Sequence, residues 1–243
     1  MKLLAFDLDG TLTQHKSPLS SGTKEILDKL GKKYKLLMLG AGDAKRIYNQ
    51  MGKYPIDIIG NYGMQYMRYN NKNQDLETVY DVTLPCNRDS VQDRIYKLRE
   101  TFGYTSYKGE NVEYHISGCV TIPLLGTKAE LTEKLSFDPD RKKRRYMYRA
   151  VKEAFPEYNV FVGGSSSFDM APLPYDKYYA LSNYAKDRGL SHDSIVFIGD
   201  DYGEGGNDES VYKSDYNFIC IDDYRDFPDK IKHLSLAGET REI

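Results

Sequence analysis

Short apolar runs alternate with amphipathic stretches along most of this chain, and several of the runs stop at glycine and aspartate. Leu3–Phe6 is the first, four apolar residues in succession. That is the pattern of a strand buried on both faces of a parallel sheet, not the alternation of a half-exposed one. Ile26, Leu27 and Leu30 follow at helical spacing in residues 24–30, behind Ser20-Ser21-Gly22-Thr23. Residues 34–39 form a second apolar run, and residues 44–51 a second helix stopped by Gly52. A third run covers residues 56–59, with another strand at 64–68. The order predicts βαβαβ, the opening of a doubly wound sheet.

The pattern then changes. Residues 70–75 read as a polar turn, and Pro85 marks a boundary. Val91, Ile95 and Leu98 share one face of a helix over residues 90–102. Residues 112–115 and 119–124 read as antiparallel strands joined through Ser117-Gly118, and residues 140–155 as a basic amphipathic helix. The run from Arg141 to Arg145 is expected to be its solvated face. Strands at 159–162 and 167–170 flank Gly163-Gly164-Ser165-Ser166. From Pro172 the first pattern returns: a helix at 177–189, a strand at 194–198 ending in Gly199-Asp200-Asp201, a helix at 209–212 and a strand at 216–221. The expected fold is α/β: a Rossmann-like, doubly wound parallel core sheet of residues 1–80 and 173–243, with an α+β cap domain inserted at 81–172.

Charge narrows the function classes. The 34 basic and 36 acidic side chains leave a net charge of -2, with no electrostatic footprint for nucleic acid or an acidic membrane. No apolar run approaches the roughly 20 residues that span a bilayer. No secretory leader is expected, because Asp7 and Asp9 interrupt the first apolar run. Cys86, Cys119 and Cys220 lack metal-ligand spacing and read as reduced thiols of a cytoplasmic protein.

Chemistry-bearing groups gather at strand ends: Asp7 and Asp9, residues 40–43, and Asp200 and Asp201, with Lys177 opening a helix. Ligands of open α/β sheets sit at the carboxyl ends of strands, so these groups can converge despite their separation. An isolated Asp7-Leu8-Asp9 is also compatible with a simple strand-capping turn, and an EF-hand pattern is absent. Two carboxylates about 4 Å apart repel by roughly 4 kcal/mol at an effective dielectric of 20, which calls for a cation. An all-oxygen set suits Mg²⁺, and Lys177 adds a point charge for a phosphoryl oxygen. A nucleophilic aspartate, an acid/base partner, a metal and a lysine suffice for phosphoryl transfer through an aspartyl-phosphate.

Asp7-x-Asp9-Gly10-Thr11, a lysine ahead of the last helices, and Gly199-Asp200 followed by Gly206-Asn207-Asp208 resemble the haloacid dehalogenase superfamily. The place of the insertion is similar to that in the subgroup with the larger α/β cap (type IIB). Gly163-Gly164-Ser165-Ser166-Ser167-Phe168-Asp169, Asp176-Lys177 and Gly205-Gly206-Asn207-Asp208-Glu209 are most similar to eukaryotic-type phosphomannomutases. The resemblance implies that Asp7 is the nucleophile and a Mg²⁺ ligand. It makes Asp9 the general acid/base, with its backbone carbonyl on the metal, and Asp200 and Asp208 further ligands. Gly10, Thr11, Gly42, Lys177 and Asn207 would bind the phosphoryl group, and Ser167 and Asp169 the sugar hydroxyls. It also leaves room for a homodimer through the cap.

Two departures stand out. Where most members offer Ser or Thr to the phosphoryl oxygens, Gly40-Ala41-Gly42 offers backbone N–H groups. Where the mutases place arginines on the distal phosphate, this chain has His115, Thr127, Lys134 and core Lys16. Lacking guanidinium forks, the cap is expected to hold a distal phosphate weakly. The expected activity is therefore Mg²⁺-dependent hydrolysis of a small phosphate monoester, a sugar phosphate, with Asp9 activating water. The alternative is a phosphohexomutase. A non-catalytic sugar-phosphate-binding protein would not need the full set Asp7, Asp9, Lys177 and Asp200.

Overall fold

In the computed structural model, which describes residues 1–236, β1 (Leu3–Phe6) lies between β2 (Lys35–Leu39) and β10 (Ile195–Gly199), parallel to both. β3 (Asp57–Gly60) continues the parallel set beyond β2, and β11 (Asn217–Cys220) beyond β10. β4 (Gln65–Asn70) and β5 (Asp75–Asp81) then pair antiparallel, giving a seven-stranded sheet in the order β11-β10-β1-β2-β3-β4-β5. Alternate residues of the same strands feed two separate cores. Leu4, Phe6, Met38 and Ile198 pack with Leu27 and Leu30 of α1 (Ser21–Gly31) and Ile47 of α2 (Ala44–Gln50). Leu3, Ala5, Leu37 and Phe197 pack with Leu181 and Tyr184 of α6 (Lys177–Asp187). Helices on both faces explain why the strands are apolar runs and not alternations.

Residues Val82–Asp176 and Gly203–Asn207 make up a second compact unit. Its antiparallel sheet has the order β6-β7-β9-β8, from β6 (Glu113–Tyr114), β7 (Val120–Pro123), β8 (Tyr158–Phe161) and β9 (Ser167–Pro172). Val120, Ile122, Phe168 and Met170 pack against Val91 and Ile95 of α3 (Arg88–Phe102) and Met147 and Val151 of α5 (Lys142–Ala154). The residues between them, Thr121, Ser167 and Asp169, are only half-buried and polar, as expected for a sheet with one covered face. The unit runs past the expected boundary at 172. Leu173 N–H donates to Glu157 O (3.1 Å), and Asn159 Nδ2 donates to Tyr175 O (2.9 Å). Residues 203–207 join through Val162 N–H, which donates to Gly205 O at 2.8 Å.

Two elements lie outside the expected pattern, and one expectation needs correction. The polar turn expected at residues 70–75 is present, and directly after it Asp75–Asp81 forms β5. As an edge strand paired on one side, β5 shows mostly exposed and half-buried residues and no apolar run. A further helix, α4 (Leu131–Phe137), is started by a capping box in which Glu130 and Glu133 satisfy each other's backbone N–H groups. The basic run is not wholly solvated either: Arg144 is buried and paired with Asp138. All three cysteines are free, and no helix among the described residues is long and apolar enough to cross a membrane.

Candidate active site

β1 runs straight into Asp7, whose N–H still donates to Ile198 O (2.9 Å). The chain then turns so tightly that Thr11, Leu12 and Thr13 all donate their N–H to Leu8 O, at 3.3, 2.9 and 3.1 Å. Gly10 sits at φ +100°, a conformation open to glycine and little else. This turn brings buried Thr11 to Asp200, and Thr11 Oγ1 donates to Asp200 Oδ1 at 2.9 Å.

Lys177, the first residue of α6, is fully buried, and its Nζ lies 2.5 Å from Asp7 Oδ1 and 2.6 Å from Asp208 Oδ1. Asp208 precedes α7 (Glu209–Tyr212) and is clamped to Asp201 in both directions. Asp201 N–H donates to Asp208 Oδ2, and Asp208 N–H donates to Asp201 O, each at 3.0 Å. One carboxylate oxygen from each of Asp7, Asp200 and Asp208 lies within 4.8 Å of the others.

Lys177 thus pairs with two of the three carboxylates, Asp7 and Asp208. Burial pushes the Asp7 carboxyl above its usual range; Lys177 opposes this, and the charges of Asp208 and Asp9 add to it. Burial also raises Asp200, reinforced by Asp7, Asp208 and Asp201 and resisted by the hydrogen bond from Thr11. For Lys177 burial works against the cation, but Asp208 and Asp7 outweigh it and hold the ammonium charged. The cluster is short of positive charge, and all its donors are oxygens. That donor set fits Mg²⁺, with Asp7, Asp200 and Asp208 as the residues that would hold it.

Asp9 stands apart from this cluster. Its Oδ1 accepts from the backbone N–H of exposed Lys16 and from Gln50 Nε2, both at 2.7 Å. Arg46 Nη1 lies 3.9 Å from Asp9 Oδ2 and donates to Gln50 Oε1 at 2.8 Å. At the next strand end, Gly42 O accepts from Asn61 N–H (2.8 Å), Asp43 caps α2, and Gln65 Oε1 accepts from Ala44 N–H (2.8 Å).

The remaining expected residues belong to the second unit. His115 Nε2 is 3.0 Å from Thr121 Oγ1, which donates to Asp169 Oδ1 at 2.9 Å. Ser167 Oγ donates to Gly163 O at 3.1 Å. Asn207 falls in the segment Gly203–Asn207 of that unit, directly before Asp208 in sequence. The expected residues therefore form two groups: Asp7, Asp9, Gly10, Thr11, Lys16, Gly42, Lys177, Asp200 and Asp208 in the core, and the rest outside it. Sequence reasoning missed Gln50 and Arg46, which hold Asp9, and Thr121, which holds Asp169. The i,i+4 spacing of Arg46 and Gln50 put both on one helix face, but their shared partner lies 41 positions from Gln50.

A sequence model of the eukaryotic phosphomannomutase family matches residues 23–229. The phosphomannomutase of Encephalitozoon cuniculi is 26% identical over 250 residues, covering 97% of this chain and 96% of that protein. The phosphomannomutase of Saccharomyces cerevisiae is 25% identical over 218 residues, with 86% and 84% covered. Among solved structures, the N-terminally truncated IMP-nucleotidase of Plasmodium falciparum aligns with a TM-score of 0.66 at 16% identity, covering 96% of this chain and 70% of that one. A phosphatase of the haloalkanoate enzyme superfamily from Bacteroides thetaiotaomicron aligns with a TM-score of 0.62 at 16% identity, covering 97% and 96%.

Proposed function

The chain belongs to the eukaryotic phosphomannomutase family of the haloacid dehalogenase superfamily, and from that premise we propose that it is a Mg²⁺-dependent phosphohexomutase. It moves a phosphoryl group between two oxygens of a phosphorylated hexose by way of phosphorylated Asp7. The observation that carries this reading is the convergence of Asp7, Asp200 and Asp208 on one another, with the buried Lys177 ammonium paired to Asp7 and Asp208. Near-full-length likeness to proteins named phosphomannomutases turns the balance from hydrolysis, the sequence-based expectation, to isomerisation.

In the first half-reaction Asp9 takes the proton from the free hydroxyl of the hexose monophosphate, whose oxygen bonds to the phosphorus carried by Asp7 as the bond to the Asp7 carboxylate breaks, giving a bisphosphorylated hexose. In the second, the hexose is reversed in the site, an Asp7 oxygen bonds to the other phosphorus as the bond to that sugar oxygen breaks, and Asp9 returns the proton to the leaving oxygen, which regenerates phosphorylated Asp7. Lys177 keeps Asp7 aligned for attack and favours its ionised form against the burial that raises its pKa. To act, Asp9 exchanges its contacts with Gln50 and Lys16 N–H for one with the substrate. Asp7, Asp200 and Asp208 would hold Mg²⁺, which would supply charge neutralisation on the transferred group.

One observation favours hydrolysis as a second reading. Of the groups where the mutases have arginines, His115 is tied to Thr121, Thr127 Oγ1 accepts from Glu110 N–H (2.9 Å), and Lys134 Nζ donates to Thr127 O (3.1 Å). None is a bidentate fork for a second phosphate. The test is mannose 1-phosphate with a bisphosphohexose activator, following the 6-phosphate product and free phosphate together. Stoichiometric 6-phosphate supports the mutase, and dominant free phosphate replaces it with the hydrolase. Asp7→Asn should lower either turnover by on the order of 10³-fold or more. Turnover by Asp7→Asn near that of wild type removes both readings.

A further inference from the structure

Arg144 is the fully buried member of the basic run that opens α5, with a side chain only 1% exposed. Its Nε donates to Asp138 Oδ2 (2.8 Å), and Nη2 donates to Asp138 O (3.3 Å). The Asp138 carboxylate also accepts the backbone N–H groups of Lys143 (3.0 Å) and Arg144 (3.1 Å), which fixes it at the start of the helix. The remaining nitrogen, Nη1, donates to three carbonyls of a single turn: Gly163 (2.6 Å), Gly164 (3.0 Å) and Ser167 (3.2 Å). Apolar packing can fill such a space without the desolvation of two charges, so filling space does not account for the pair. What a planar guanidinium adds is geometry, holding one turn by three oxygens at once.

That turn leads into both residues of the inserted unit assigned to sugar hydroxyls. Gly163 O accepts from Ser167 Oγ at 3.1 Å as well as from Arg144. On its other side, Gly163 lies so close to Asp169 that a Cβ there would collide with the Asp169 carboxylate. Thr121 fixes the far end of the same carboxylate. A displacement of Gly163 is therefore transmitted to the Ser167 hydroxyl and to the Asp169 carboxylate together.

We propose that Arg144 is a positioning residue for sugar recognition, acting through Gly163 on Ser167 and Asp169. This rests on the reading above, in which those two residues contact the sugar. Two variants test it with the full-length protein and the phosphorylated hexose that wild type turns over. Arg144→Lys keeps a charge but has one nitrogen, which cannot serve Asp138 and the three carbonyls at once. Gly163→Ala leaves the Arg144 pair intact, has no left-handed backbone to oppose it, and pushes only on Asp169. In both, KM should rise about tenfold or more while kcat falls by less than about threefold, with a cooperative melting transition retained. A merely stabilising role predicts a lower melting temperature with KM unchanged. Should Arg144→Lys fail to fold, Gly163→Ala decides alone. A folded Gly163→Ala with KM within about twofold of wild type overturns the proposal. Wild type that turns over other phosphate esters but no phosphorylated sugar overturns the underlying reading instead, whatever the variants do.

Discussion

Gly10 and Asp200 are in direct contact: a Cβ on Gly10 would collide with both Asp200 carboxylate oxygens. The glycine that permits the turn after Asp7 thus also makes the seat in which the aspartate directly after β10 completes the cluster. Gly10→Ala meets two obstacles at once, the φ of +100° and the carboxylate. The backbone strain should cost about 1–3 kcal/mol of stability. Displacement of Asp200 should weaken Mg²⁺ binding by at least about tenfold, measured by calorimetric titration. Wild-type Mg²⁺ affinity in the folded variant would show that Asp200 is not a ligand.

Lys177 pairs with both Asp7 and Asp208. Removing one partner of a buried ion pair leaves the other uncompensated, which costs about 3–5 kcal/mol. Lys177→Met should therefore lose roughly 3 kcal/mol in urea unfolding of the metal-free protein and nearly all turnover. Mg²⁺ should restore part of the stability but not the turnover. An unchanged unfolding midpoint would mean that the carboxylates shed their charge without the ammonium.

The charge deficit also makes metal binding a stability term. A ligand that binds only the folded state at about a hundred times its dissociation constant stabilises by ~2.7 kcal/mol. Mg²⁺ should therefore raise the melting temperature of wild type, and chelation should reverse both this shift and the activity. Asp200→Ala should show little of the shift. Activity that survives complete chelation would exclude the assigned metal role.

The fold was legible wherever burial on both faces leaves an uninterrupted apolar run, as in Leu3–Phe6 and Ile195–Gly199. β5 was hidden because an edge strand buries little, and Glu77 and Thr78 carry no alternation to detect. At the site, Asp7, Asp200 and Lys177 were readable from strand ends and spacing. Asp208 entered only through the resemblance, because no strand end or periodic pattern marks its contact with Lys177. Asp9 shows the same limit, since its holder Gln50 sits on a different element. Arg144 was legible and passed over. Within Arg141 to Arg145 it is the position three and seven residues ahead of buried Met147 and Val151.

The Asp138–Arg144 pair gives the inserted unit a defined response to acid. Burial alone would raise the Asp138 carboxyl, but the Arg144 guanidinium and the N–H groups of Lys143 and Arg144 outweigh it and hold it below its ordinary 3.8. A carboxyl whose folded value is depressed stabilises the fold fully above its unfolded value, and that contribution is lost as pH falls through the lower folded value. Asp138→Asn keeps a hydrogen-bonding side chain but removes the titration. At neutral pH the variant should therefore be the less stable protein. The gap between the two should close as pH is lowered below 3.8. Urea unfolding followed by tyrosine fluorescence at a series of pH values measures that gap directly. A difference that stays constant down to the lowest pH would mean that Asp138 titrates alike in the folded and unfolded chains.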